Sequence, residues 1–287
     1  MNLRVAVMLL FMRMPLMAFA QQDTSIQKGS YLYYGQPLIE DNAMLMEEAF
    51  NQETGKHQFI FNYFRSGDAT AYTFTHEIPL GNHLHQISYS IPFGVLQHED
   101  YSTSGWDDIL ITYRPMIADK YDWALFIPGV SIVVPTGNTT RGIGNGGWGI
   151  LASIAMTKRF SQTITTHYNM NGSWVPRAML YMSSQNGDAA GVRHQYRSGM
   201  LGASVVWHCR PQLNLMMENQ CFFSARVKAE GTFERNVQYI LNPGVRFALH
   251  HKKTQFVPAI GIPISFVDGA LEQVGVFLYL SVETSRY

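Results

Sequence analysis

The sequence predicts an all-β fold, a transmembrane antiparallel up-and-down β-barrel of twelve strands preceded by a short N-terminal helix. Three observations predict it. From Gly55 onward apolar and polar residues alternate with a period of two, so each segment has one apolar and one polar face. The connections between these segments alternate between short and long ones. Charged residues make up only 15% of the chain, whereas aromatic residues reach 13%.

The charge balance excludes one large class of function. Lys plus Arg and Asp plus Glu number 21 each among the 287 residues, so the formal net charge is zero. A general nucleic-acid-binding protein needs a basic excess to neutralise phosphates, so no nucleic acid is expected as a partner. The low charged fraction, below the usual level of roughly a quarter, suits a surface that contacts lipid instead of water. Cys209 and Cys221 are expected to stay unpaired.

The first residues have the pattern of an export signal. Arg4 precedes an apolar run over Val5–Ala20, which ends in the small-x-small cleavage pattern of Ala18–Ala20. We therefore expect a signal peptide over residues 1–20 and a periplasmic N-terminal segment over residues 21–54. The barrel itself is expected to occupy residues 55–287.

A short helix is predicted in the periplasmic segment. Ile39, Ala43, Met46 and Phe50 recur at helical spacing. This pattern predicts an amphipathic helix over Glu40–Phe50, docked inside the barrel mouth or beneath it.

No later segment has the pattern of a membrane helix, because the longest uncharged stretch is interrupted by prolines and glycines. A closed barrel is then the remaining way to satisfy every backbone polar group in lipid.

Twelve segments are long enough to cross a bilayer, which takes roughly 9–11 tilted residues. The last segment alternates most clearly, with Val274, Val276 and Leu278 on one face and Gln273 and Gly275 on the other. The predicted strands are Gly55–Arg65, Thr70–Leu80, Asn82–Leu96, Trp106–Ile117, Tyr121–Val134, Trp148–Arg159, Gln162–Trp174, Gln195–Cys209, Gln212–Ala229, Phe233–His250, Lys253–Phe266 and Leu271–Thr284.

The connections sort by side. Every second connection is short, as periplasmic turns are in outer-membrane barrels. The long ones, Gln97–Gly105, Pro135–Gly147 and Val175–His194, are expected to be outer loops. All five tryptophans fall within a few residues of a connection, which is typical of aromatic girdles at the bilayer interfaces.

Polar side chains on the inner face form the candidate functional surface. A charge facing lipid at mid-bilayer costs about 2–4 kcal/mol, so the charged residues of the strands are expected to point into the lumen. This network either fills the barrel or lines and gates a passage, and the sequence leaves both open. The lumen-facing candidates are Arg114, Glu218, Arg226, Asn242 and Arg246.

No motif indicates catalysis, a cofactor or a metal. The glycine-rich run Gly144–Gly149 matches G-x-G-x-x-G, but no clear helix follows it, so a dinucleotide site is not expected. His83 and His85 share a strand face without a third ligand in register. We therefore expect no catalytic residue, no cofactor and no metal.

Two motifs carry a resemblance to a known family. Gly105-Trp106-Asp107-Asp108-Ile109 opens a strand, and the run Ile132–Gly137 precedes a glycine-rich loop. With Ile39–Asn42 and Glu47–Glu53, these motifs resemble outer-membrane barrels of the MetA-pathway-of-phenol-degradation, transporter-like family. The resemblance implies an outer-membrane channel for small solutes, aromatic or apolar compounds among them.

The expected protein is a monomeric, non-enzymatic channel of the outer membrane of a Gram-negative bacterium. Its expected partners are the lipid bilayer, the barrel-assembly machinery and a small-molecule solute. One alternative is a lipid-acting barrel enzyme, which needs a Ser or Thr beside a His on the lipid-facing wall. His167 and Ser173 share a parity on one strand but are too far apart to touch. The other alternative is a structural barrel with a packed lumen, acting through the loop Val175–His194.

Overall fold

Alternating side chains produce strands that pair, antiparallel, with their neighbours in the sequence. We analysed a computed structural model, which describes residues 32–33, 36–37, 39, 41–97, 102–117, 124–183, 189–227 and 233–285. Twelve strands form one sheet in which the first barrel strand pairs with the last, so the sheet closes on itself. The predicted twelve-stranded antiparallel barrel is therefore confirmed.

Nine of the barrel strands run without interruption and three are divided into two segments. The undivided strands are β3 (Lys56–Ser66), β4 (Ala69–Leu80), β5 (Asn82–Gln97), β8 (Leu125–Val134), β9 (Gly149–Arg159), β10 (Ile164–Ser183), β11 (Ala189–Arg210), β12 (Leu213–Val227) and β17 (Ala270–Ser285). The divided strands are β6 (Ser102–Trp106) with β7 (Ile109–Pro115), β13 (Phe233–Phe247) with β14 (Leu249–His251), and β15 (Thr254–Gly261) with β16 (Ile264–Val267). Outside the barrel lie a small hairpin, β1 (Leu32–Tyr33) and β2 (Gln36–Pro37), and a 3-10 turn over Thr139–Arg141.

Prolines account for two of the divisions. Proline has no backbone N–H for the ladder, so a neighbouring strand must adapt. The strand facing Pro92 divides at Asp107, whose N–H donates to the Pro92 carbonyl at 2.9 Å. The strand facing Pro243 divides at Ile262, whose N–H donates to the Pro243 carbonyl at 2.9 Å. Both strands resume after two residues, so the barrel wall continues past each proline.

The two faces of the wall differ as the alternation predicts. On β17, Leu278 is 43% exposed on the outer face, whereas Phe277 and Tyr279 are buried on the inner face. The same pattern recurs around the barrel, where aliphatic side chains such as Ile132, Leu201 and Val276 are exposed at outer positions. Such an outer surface matches lipid, and the polar side chains of the strands turn inward.

Two predicted outer loops are wrong in extent. The predicted loop Gln97–Gly105 is mostly strand, because β5 reaches Gln97 and β6 begins at Ser102. The segment Val175–His194 is mostly a hairpin, because β10 continues to Ser183 and β11 begins at Ala189. The ladder passes a register shift between Val175 and Ala178 and then resumes, so Pro176 makes a bulge and does not end the strand. Trp174 accordingly lies inside β10 and not near its end, whereas Trp123 lies outside the described residues.

Two smaller findings complete the fold. Cys209 and Cys221 are both free thiols, as expected. Within the described ranges, no helix is long and apolar enough to span a membrane.

Candidate functional site

Residues 39 and 41–52 lie inside the barrel, in the half nearer the short turns, and we call this segment the strap. The predicted helix over Glu40–Phe50 is wrong, because residues 41–50 contain no helical turn and Glu40 lies outside the described residues. The helical spacing reflects burial instead, since Ile39, Ala43 and Met46 pack against apolar side chains of the wall. Wall side chains bond the strap's peptide groups, so the strap has no need of intrahelical hydrogen bonds.

Strands β12 and β13 hold the middle of the strap. The Glu218 carboxylate accepts the Leu45 N–H at 2.9 Å and 3.2 Å from its two oxygens. Gln220 donates its Nε2 to the Leu45 carbonyl at 2.6 Å. Asn242 donates its Nδ2 to the second Glu218 oxygen at 2.7 Å and so fixes the carboxylate. Leu45 therefore has both peptide groups bonded by side chains of one wall.

Strands β9 and β10 hold the following residues. The Asn169 amide accepts the Glu47 N–H at 2.6 Å and donates to the Glu47 carbonyl at 2.9 Å, which imitates a strand pair. Thr157 Oγ1 accepts the Ala49 N–H at 2.8 Å and lies 2.9 Å from His167 Nδ1.

Two buried arginines bind strap carbonyl groups. Arg246 donates to the carbonyls of Asp41 at 2.5 Å, Asn42 at 2.9 Å and Ile39 at 3.3 Å. Its guanidinium also lies 3.4 Å from Glu48 Oε1, which makes a buried ion pair. Arg114 donates to the Glu48 carbonyl at 2.5 Å from the opposite wall. The two cations therefore clamp the strap from both sides.

Both ends of the strap return to the same residue of β3. Gln58 donates to Asp41 Oδ1 at 2.5 Å, and Gln52 donates to Gln58 through its side chain. Tyr279 also donates to Asp41 Oδ1, at 2.7 Å. Gln86 accepts the Gln52 N–H at 2.7 Å. The strap therefore runs round the inside of the wall as a nearly closed ring. Burial raises the pKa of Asp41 from 3.8 to about 6.

Four of the five sequence-derived lumen candidates lie in this arrangement. All four are buried. Arg114, Glu218 and Arg246 bond the strap directly, and Asn242 bonds Glu218. The Arg226 side chain lies outside the described residues. Sequence reasoning missed further strap-binding residues, although all have inward parity on their strands; they are Gln58, Glu77, Gln86, Thr157, Asn169 and Gln220.

A second polar anchor lies at the opposite end of the barrel. Asp108, which lies in the gap between β6 and β7, accepts the Gly137 N–H at 3.0 Å and the Asn145 N–H at 2.6 Å. A Cβ at Gly137 or Gly144 would lie 2.9 Å from the Asp108 carboxylate, so only glycine allows this packing. The glycine-rich run is therefore a loop folded onto Asp108.

Known proteins resemble this chain in structure but not in sequence. No family model matches the sequence, and no curated protein is similar to it. The COG4313 outer membrane channel from Pseudomonas putida F1 has 12% identity and a TM-score of 0.64, covering 82% of this chain and 97% of that one. The NanC porin, with 8% identity and a TM-score of 0.42, covers 80% and 100% respectively. A TodX monoaromatic hydrocarbon channel mutant, with 10% identity and a TM-score of 0.41, covers 88% and 95%.

The likeness to the COG4313 channel, at a TM-score of 0.64 and 12% identity, concerns the fold alone. The chain therefore has the fold of an outer-membrane channel, a closed barrel of twelve strands.

Proposed function

We propose that this protein is an outer-membrane channel through which small solutes pass, aromatic or apolar compounds among them. One observation carries the proposal: a closed barrel with an apolar outer face surrounds a polar interior. An apolar outer face and a polar interior are the arrangement that outer-membrane channels use. The proposal includes a cleaved signal over residues 1–20, assembly by the barrel-assembly machinery, and a relation to the transporter-like family of phenol-degradation pathways.

The strap makes the channel a gated one. It is held by hydrogen bonds and ion pairs from wall side chains, including Glu218, Asn169 and Arg246. Each such bond contributes about 0.5–1.5 kcal/mol net, or more where a charge takes part. Contacts of this kind break and form without disturbing the sheet. Solute passage then requires the strap to shift within the lumen.

The barrel-enzyme alternative loses its candidate residue. His167 is 1% exposed and bonds Thr157 on the inner face, so it does not face lipid. Ser173 bonds Ser198 across the ladder at 2.6 Å. A structural barrel with a packed lumen remains the second candidate, because the strap is bonded to the wall from several strands.

Planar-bilayer recording separates the channel from the packed barrel. Asn169→Ala removes both side-chain bonds to Glu47. Asn219→Ala is the matched control, because Asn219 has outward parity on β12 and bonds the Ala203 carbonyl of the wall. We expect current steps from wild-type protein and a higher open probability in Asn169→Ala, with Asn219→Ala unchanged. If the wild type and both variants are folded and silent, the packed barrel is the better description.

A further inference from the structure

Between the strap and the end that carries the Asp108 loop, the inner wall has a distinct chemistry. We call this part of the lumen the vestibule. Hydroxyl groups face each other across its strands in three pairs. The pairs are Thr75 with Ser90 at 2.8 Å, Thr112 with Ser131 at 2.8 Å, and Ser173 with Ser198 at 2.6 Å. They lie on β4, β5, β7, β8, β10 and β11, so hydroxyl groups line more than one side of the lumen.

Amides and a few apolar groups complete the vestibule. Asn62 on β3 and Asn171 on β10 have inward parity and are partly exposed. The Asn62 Oδ1 atom is buried without a hydrogen-bond partner in the described structure. A buried acceptor without a partner costs about 1–3 kcal/mol, so it favours a donor brought by a ligand or by water. Phe64 and Phe222 provide the apolar surface.

Among the inward side chains that the structure describes, the charged groups lie mainly at the strap end of the lumen. Arg114, Glu218 and Arg246 all lie at the strap. Among the vestibule side chains that the structure describes, Asp108, in the gap between β6 and β7, is the one Asp, Glu, Lys or Arg that points inward, and its carboxylate is bonded to the loop. The side chains of Arg226 and Glu234 lie outside the described residues. The described vestibule side chains therefore offer a solute donors and acceptors but no free counter-charge.

These observations point to a class of solute. An ion that enters a narrow lumen loses part of its hydration shell, and without a counter-charge on the wall the free energy of that lost hydration is not recovered. A neutral solute with hydroxyl or amide groups exchanges its water bonds for bonds to Ser, Thr and Asn side chains, which both donate and accept. We infer that the vestibule selects uncharged, hydrogen-bonding solutes over ions of the same size. This inference rests on the proposed channel function.

Swelling of proteoliposomes tests the selection. The full-length protein is reconstituted, and the swelling rate in xylitol is compared with the rate in potassium xylonate, which has the same carbon skeleton and one negative charge. We expect xylitol to enter at least about tenfold faster, a barrier difference of ~1.4 kcal/mol. Equal rates would overturn the selection and leave the channel standing. No swelling in either solute, together with no current, would overturn both.

A pair of variants assigns the selection to the vestibule. Ser90→Asp places a carboxylate among the hydroxyl groups, and Ser90→Asn places a neutral amide of the same size there. We expect the Asp variant to shift the reversal potential in a salt gradient toward cation selectivity and the Asn variant to keep the wild-type value. Equal reversal potentials in both variants would show that ions do not pass this part of the wall and would overturn the assignment.

Discussion

Replacing Arg246 by methionine should release the strap. The guanidinium bonds three strap carbonyls and pairs with Glu48, and both members of this ion pair are buried. Removing one partner of a buried ion pair costs about 3–5 kcal/mol, because the remaining charge is left uncompensated. If that cost falls on docking, the undocked fraction of the strap rises by at least ~10²-fold, since every 1.4 kcal/mol is a factor of ten.

Hydrogen exchange followed by mass spectrometry measures this release directly. In Arg246→Met, peptides covering residues 41–52 should lose about two orders of magnitude of protection, whereas peptides from β9 and β17 should keep theirs. Arg65→Met is the matched control, because Arg65 is exposed on the outer parity of β3. The double variant Arg246→Met with Glu48→Gln should recover part of the protection, because it removes the stranded charge. The reasoning is refuted if strap protection is unchanged, or if the whole barrel loses protection equally.

Three further perturbations follow from the same geometry. Asp41→Asn keeps an oxygen acceptor for Gln58 and Tyr279 and removes the proton uptake that docking requires. Burial raises the pKa of Asp41 from 3.8 to about 6, although the charge of Arg246 acts in the opposite direction. Above pH 6 the ionised carboxylate therefore opposes docking of the strap by at most ~3 kcal/mol, whereas below pH 3.8 it is protonated in both states and has no such effect. Strap protection in Asp41→Asn should therefore exceed wild type at pH 7 and converge with it near pH 4; a constant difference would contradict this. Asp108→Asn should loosen the glycine-rich loop and speed tryptic cleavage after Arg141, with Asp68→Asn in the exposed turn between β3 and β4 as the control; equal cleavage rates in the two would count against the anchor. Leu278→Arg puts a charge in the middle of the lipid-facing side of β17 and should cost about 2–4 kcal/mol in vesicle-based unfolding, whereas Leu271→Arg at the strand end should cost about 0–1 kcal/mol; similar costs would mean that β17 does not face lipid there.

Strand positions could be predicted from the sequence because the period of two leaves a local signature. β17 was expected at Leu271–Thr284 and spans Ala270–Ser285. The extension of β10 and β11 into the predicted loop Val175–His194 was missed, because Pro176 and nearby glycines have the pattern of a loop, whereas the ladder absorbs the proline as a bulge. Local pattern rules cannot anticipate a ladder that resumes beyond a break.

The strap shows where sequence reasoning fails. Ile39, Ala43 and Met46 have helical spacing, and that spacing predicts a helix in any isolated segment. The competing partners, such as Glu218 and Asn169, are more than 120 residues away in the sequence. Wall side chains that come together only when the barrel closes bond the N–H and C=O groups of the strap, so a helix does not form. Inward parity located Arg246 and Glu218, but no local pattern indicates what an inward side chain will bind.

The distribution of the strap's partners also sets an order of events in folding. They come from strands as early as β3 and as late as β17, so no partly formed sheet presents them all. Contacts between segments so distant in the sequence form late, because the intervening chain must be ordered first. Residues 41–52 are synthesised before any barrel strand, yet they can settle only after the final hairpin has joined the cylinder. Their protection from exchange during refolding would therefore mark the moment at which the wall is complete.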